Sequence, residues 1–100
     1  MQAIFNDLSS LVEFEPRIFI HAVKTKRRRS ETSIVGIPEQ FDLNKIAGAM
    51  RKKMNCICSV SVTEHGKPRI KLSGDQREGC VEFLLEEQIC KKHDIKVRGF

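Results

Sequence analysis

Arg69-Ile70-Lys71-Leu72-Ser73-Gly74-Asp75-Gln76-Arg77-Glu78-Gly79-Cys80-Val81-Glu82-Phe83-Leu84-Leu85 changes its hydrophobic period in mid-run. As far as Ser73, Ile70 and Leu72 alternate with Arg69 and Lys71, the two-residue period of a strand with one buried face. Beyond Gly74, Cys80, Val81, Leu84 and Leu85 fall on one side of a helix, with Phe83 beside them. Gly74 reads as the turn that closes the strand. Asp75 reads as the helix N-cap, its carboxylate accepting from orphan backbone N–H groups. Glu78 stands three residues on, placed for a capping box and for the positive helix end. The stretch is a strand-to-helix corner.

The same periods extend outward in both directions. Arg17–Lys24 alternates Ile18, Ile20 and Ala22 against Phe19, His21 and Val23, and Thr32–Ile37 is a second β-branched run, so the two predict a hairpin. Gly36-Ile37-Pro38 ends it. Asp42 caps a helix with Leu43, Ile46, Ala47, Met50 and Met54 at spacings of three and four. Cys56, Cys58, Val60 and Val62 then alternate inward as a third strand. Glu64-His65-Gly66-Lys67-Pro68 turns into the strand already quoted. After the second helix, Lys91-Lys92-His93-Asp94 leads into a last strand, Ile95–Phe100. The expected fold class is α+β: order ββαββαβ, a two-layer sandwich of a five-stranded mixed sheet with both helices on one face.

One hundred residues make one small domain, burying about 65% of the surface that its unfolded chain exposes. Residues 17–100 form that domain. Residues 1–16 read as a flexible lead segment, although Ile4, Phe5, Leu8, Leu11 and Val12 recur at helical spacing and are suited to docking on a partner. No apolar run approaches the ~20 residues of a membrane span, and no basic leader precedes the first apolar stretch, so a cytoplasmic protein is expected. The four cysteines are expected to be reduced and mostly buried. Charge is placed unevenly. Residues 1–15 hold Asp7, Glu13 and Glu15 without Lys or Arg, while the remainder sets 18 basic against 10 acidic side chains. That asymmetry predicts a polyanionic partner, nucleic acid first.

Lys24, Lys26, Arg27, Arg28 and Arg29 put five cations into six positions at a hairpin tip. Like charges at this density repel one another unless a polyanion neutralises them, and phosphate contact is the expected mode. Arg51, Lys52 and Lys53 form a second cluster, where cations also suit the C-terminal end of a helix dipole. Arg69 and Lys71, beside Lys67, alternate outward on one strand. They extend the basic face or belong to ordinary surface. Cys56-x-Cys58 with Cys90-x-x-His93 superficially supplies four zinc ligands, but the strand spacing turns both Cys56 and Cys58 toward the core, so no metal is expected. No nucleophile elbow, P-loop or placed Ser/His/Asp set is present, and no enzyme or cofactor is expected.

Gly74-Asp75-Gln76-Arg77, then Phe83-Leu84, then Lys96-Val97, Gly99 and Phe100, resembles the eukaryotic translation initiation factor 1 family, with its G-D-Q-R-x-x-x-x-x-F-L and terminal K-V-x-G-F. Arg17–His21, Thr32–Ile37, Phe41–Leu43, Lys45, Ile46 and Arg51–Cys56 resemble earlier parts of the same pattern. The resemblance implies a factor that binds the small ribosomal subunit near the peptidyl-tRNA site, promotes scanning and enforces start-codon selection. It implies ribosomal RNA contacts at Lys24, Lys26, Arg27, Arg28, Arg29, Arg51, Lys52 and Lys53, with Arg77 a further RNA candidate. The turn Glu64, His65, Gly66 and Lys67 is implied as a steric gate facing the initiator tRNA. Initiation factors 3, 5 and 2 are the implied protein partners of a monomer without a membrane role. Two features depart from the pattern: the basic loop lacks the family's usual glycine, and Ile57-Cys58 stands where an Asn-Gly turn is common. The alternatives are a domain of the same fold binding RNA or ribosomes outside ordinary scanning, and a zinc-stabilised interaction protein.

Overall fold

The computed structural model describes residues 17–99. Strands Ile18–Lys24 (β1) and Ser30–Val35 (β2) form a hairpin, followed by the helix Leu43–Met54 (α1). A second hairpin, Cys58–Val62 (β3) and Pro68–Ser73 (β4), leads to the helix Arg77–Glu86 (α2). A 3₁₀ turn at Lys92–Asp94 then opens the strand Ile95–Gly99 (β5). This is the expected ββαββαβ order. The strands lie side by side as β3-β4-β2-β1-β5, with β5 parallel to β1 and every other neighbour antiparallel. The expectations for residues 1–16, and the closing of the last strand by Phe100, fall outside the described residues.

Register explains why one face became the core. Ile20, Ile34 and Ile70 line up across β1, β2 and β4, as do Ala22, Thr32, Leu72 and Cys58 in the neighbouring row. All seven are buried, together with Ile46, Ala47 and Met50 of α1 and Cys80, Phe83 and Leu84 of α2. Both helices therefore cover the same side of the sheet. Asp42 caps α1 as expected, its Oδ1 accepting from the Asn44 and Lys45 amides at 3.0 and 3.3 Å. At the other end Asn55 adopts a left-handed conformation (φ 49°), which asparagine tolerates as a C-terminal cap.

Two local readings are corrected. The third strand begins at Cys58, because Asn55 turns the chain and Cys56 and Ile57 are used in the reversal. Val60 and Val62 do face the helical side by alternation, yet they remain 36% and 61% exposed. β3 is an edge strand, and the helical layer shields only its first residue. The second correction concerns the helix after Gly74. Gln76 occupies its N-cap with no side-chain cap bond, and the Asp75 carboxylate instead grips the Arg77 guanidinium at 2.8 and 2.7 Å. Asp75 retains a fraction of the capping role, accepting from the Arg77 amide at 3.3 Å.

Thr32 on β2 does the work assigned to Asp75. It is the one polar side chain buried among the described residues. Its Oγ1 donates to the Gly74 carbonyl at 2.8 Å and accepts from the Gln76 amide at 2.9 Å, closing both sides of the corner. Gly74 itself needs its positive φ of 80° to make the turn, and its amide donates to the Ser30 carbonyl at 2.8 Å.

Candidate nucleic-acid interface

Strand direction decides which loops share an end of the sheet. β1 runs toward the Thr25–Arg29 loop, and β4 finishes at the same end, since Ser73 pairs with Glu31. β3 begins there too, because Cys58 pairs with Leu72. The C-terminus of α1 must lie at that end to feed β3. The basic hairpin, the Gly74–Arg77 corner and Arg51–Lys53 are thereby gathered on one end, with β2 and β3 separated by two strand spacings, about 10 Å. The Glu64–Lys67 turn is at the opposite end, where Val62 pairs with Pro68 and Val35 with Arg69. A six-residue strand puts about 20 Å between the two hairpin tips.

The basic tip is built without a glycine. Lys26, Arg27, Arg28 and Arg29 form a tight turn, the Arg29 amide donating to the Lys26 carbonyl at 3.3 Å, and the Thr25 amide donates to the Arg29 carbonyl at 2.7 Å, so that one extra residue is taken up before Lys24 pairs with Ser30. Arg27 and Arg28 both carry positive φ, 58° and 62°. This is the type I′ pattern, whose central positions ordinarily prefer Asn-Gly. A side chain with a Cβ is disfavoured there by about 1–2 kcal/mol per residue. The tip thus combines backbone strain with like-charge repulsion. Among the described residues, none of Lys26, Arg27, Arg28 and Arg29 is ion-paired, and all four are exposed.

The second cluster is divided by its contacts. Arg51 donates an Nη2 hydrogen bond to the Cys58 carbonyl at 2.8 Å, fastening the end of α1 to β3. Lys53 is ion-paired with Glu86 and sits 5.8 Å from the centre of the Phe83 ring, which draws it toward α2. Lys52 is exposed on the outer side of α1. Beside it, Lys45, Gly48, Ala49, Arg51 and Lys52 line a shallow depression of about 460 Å³. At Gly48, a Cβ would meet nothing within 4 Å. No packing constraint therefore explains that glycine, which costs about 0.5–1 kcal/mol relative to alanine in a helix interior.

Arg77 is held in place rather than presented. Its guanidinium is bidentate to Asp75 and lies over the end of β5, where a Cβ on Gly99 would come within 2.5 Å of Nη1. The Arg77 hydrogen bonds hold the Asp75 carboxyl below its ordinary range, and Asp75 in turn raises Arg77. The same region forms a depression of about 600 Å³ lined by Asp75, Gln76, Arg77, Glu78, Gly79 and Val97, a mixed-charge surface poorly suited to phosphate. α2 continues this acidic flank with exposed Glu78, Glu82 and Glu86, and Glu87 follows at its C-terminal cap.

The Glu64–Lys67 turn is compact and exposed. The Thr63 amide donates to the Lys67 carbonyl at 2.7 Å, the Gly66 amide to the Thr63 carbonyl at 2.9 Å, and the Lys67 amide to Thr63 Oγ1 at 3.1 Å. Gly66 supplies the positive φ of 79°. The cysteines are free thiols, Cys58 and Cys80 buried, Cys56 and Cys90 half-buried. Burial, with the nearby Cys58, Cys56 and Asp75, pushes Cys80 up to about 12. Among the described residues no three His, Cys, Asp or Glu side chains gather as a metal site, and no helix is long and apolar enough to cross a membrane.

Thr32 and Arg51 were missed as structural anchors by sequence reading. Thr32 looked like one more β-branched strand residue, and only the pairing of β2 with β4 brings it under the corner.

Residues 14–90 match the family model described as Translation initiation factor SUI1. The chain is 34% identical over 83 residues to Protein translation factor SUI1 of Eremothecium gossypii, covering 83% of this chain and 77% of that protein. It is also 34% identical over 88 residues to Eukaryotic translation initiation factor 1 of Homo sapiens, covering 86% of this chain and 76% of that one. In fold it is similar to the C-terminal domain of human eIF2D, with a TM-score of 0.67 at 18% identity, over 81% of this chain and 42% of that chain. The sequence matches span most of this chain and most of each relative; the chain belongs to the SUI1 family of translation initiation factors, which are not enzymes.

Proposed function

We propose that this initiation factor binds the small ribosomal subunit near the peptidyl-tRNA site through the basic end of its sheet and acts there by binding and steric exclusion. Lys24, Lys26, Arg27, Arg28 and Arg29 contact ribosomal RNA phosphates, with Arg51 and Lys52 beside them. Lys53, committed to α2, contributes less. The observation that carries this reading is the hairpin tip. Four exposed, unpaired cations crowded on one reversal repel one another in the isolated protein, and a polyanion turns that repulsion into attraction, while the positive-φ backbone holds the side chains in one cluster at a separate steric cost.

The turn at Glu64, His65, Gly66 and Lys67 projects from the other end, about 20 Å away, and serves as the gate toward the initiator tRNA. Binding favours the open, scanning state, while start-codon pairing favours the state that expels the factor, so the two are linked through a coupling free energy. The factor works in the cytosol as a monomer without a cofactor, alongside initiation factors 3, 5 and 2. Replacing Arg27, Arg28 and Arg29 by alanine should weaken subunit binding and lower its salt dependence by about 2–3 in the slope of log K against log salt. Initiation at near-cognate codons should rise. Unchanged subunit affinity and unchanged start-codon selection would overturn the assignment.

A further inference from the structure

The face of the sheet turned away from both helices is uncovered among the described residues. β1 is a central strand, and its outward residues Phe19 and His21 stand two positions apart, a spacing of about 6.8 Å. Phe19 is 41% exposed, and His21 is exposed beside it. Register places Lys96 and Arg98 of β5 next to these two rings. On the other side, across β2, lie Arg69 and Lys71 of β4. Glu31 is the sole carboxylate on the outward side of the five strands, and it is met by Lys71 at 3.4 Å. Serine hydroxyls fill much of the remaining face, with Ser61 Oγ accepting from Arg69 Nε at 3.0 Å.

We infer that this open face is a binding platform for single-stranded RNA, separate from the basic end and independent of the role proposed for it. Two ring side chains on a central strand, flanked by cations on both sides and interspersed with hydroxyls, match the physical requirements of such recognition. Unstacked bases lie on Phe and His rings, phosphates meet Lys and Arg, and hydroxyls take up hydrogen bonds from bases and sugars. An acidic protein segment would use the cations and leave the paired rings without a specific task. The acidic α2 lies on the other layer, so RNA is directed to this side. The face also points away from α1, leaving it accessible when the outer side of α1 is occupied.

The test uses the full chain, a fluorescein-labelled twelve-nucleotide oligouridylate RNA and a decaglutamate peptide. Amide resonances of β1, β4 and β5 should move on adding the RNA and not on adding the peptide. Phe19→Leu, which keeps an apolar contact but removes the ring, should weaken RNA binding at least about fivefold. It should retain the native melting temperature within a few degrees and native affinity for the small subunit. Lys96→Ala with Arg98→Ala should lower the salt slope for the RNA by about 1.4. Native RNA affinity in both variants, or sheet resonances that follow decaglutamate and ignore the RNA, would overturn the inference. A loss of subunit binding confined to hairpin variants would leave it standing.

Discussion

Thr32→Val isolates the corner that joins the sheet to α2. Valine is nearly isosteric, so the buried site is not opened into a cavity, and the change removes only the hydroxyl. Two backbone groups then lose their partner: the Gly74 carbonyl, bonded at 2.8 Å, and the Gln76 amide, bonded at 2.9 Å. An unsatisfied buried polar group costs about 1–3 kcal/mol. Both bonds are only partly buried, which favours the lower end of that range, about 1–1.5 kcal/mol for each group and about 2–3 kcal/mol in total. For a domain of this size that corresponds to a fall in melting temperature of about 10–20 °C. Thr32→Ser is the control. It keeps the hydroxyl and deletes one buried methyl, worth about 1 kcal/mol, so it should be the milder change. Urea unfolding of both variants, with hydrogen exchange at the Gln76 amide, provides the readout. If Thr32→Val lies within about 0.5 kcal/mol of wild type, or is more stable than Thr32→Ser, the corner is not held by this hydroxyl.

Replacing Arg27 and Arg28 by Asn and Gly should relieve the strained reversal, raising stability in urea by about 1–2 kcal/mol while weakening subunit binding. Lower stability would contradict the strain assignment. Gly48→Ala should stabilise by about 0.5–1 kcal/mol, because the added methyl meets open space and only backbone entropy changes; calorimetry decides. Asp75 is held below its ordinary range in the folded state by Arg77, so its contribution is present at neutral pH and disappears as the pH falls through that lowered value. Asp75→Asn should therefore cost under about 1 kcal/mol at pH 7, and the difference from wild type should vanish in strong acid. Cys58 and Cys80 should resist thiol reagents at pH 8 until the protein unfolds, with Cys80 the more protected; rapid native-state labelling of Cys80 would show that it is not sealed.

Alternation and spacing within the chain were sufficient for the elements, because a strand face or a helix stripe is a local pattern. Ile18, Ile20 and Ala22 sorted themselves inward, Asp42 capped α1, and the change of period at Gly74 marked the corner. The cations at Lys24–Arg29 were equally visible, since a charge run needs no partner to be read. What sequence left open depended on neighbours far along the chain. The cap at Gln76 comes from Thr32, 44 residues earlier, and displaced Asp75 into a pair with Arg77. Val60 and Val62 alternate as core residues do, yet edge position leaves them exposed. Lys53 and Arg51 look equivalent in a basic run, but one is drawn to Glu86 and the other to the Cys58 carbonyl. Local patterning thus determined the elements and the charge of this protein. Only strand order and register decided that the basic hairpin and the end of α1 share one end of the sheet, because proximity across β4 and β2 is a property of pairing that no single segment encodes.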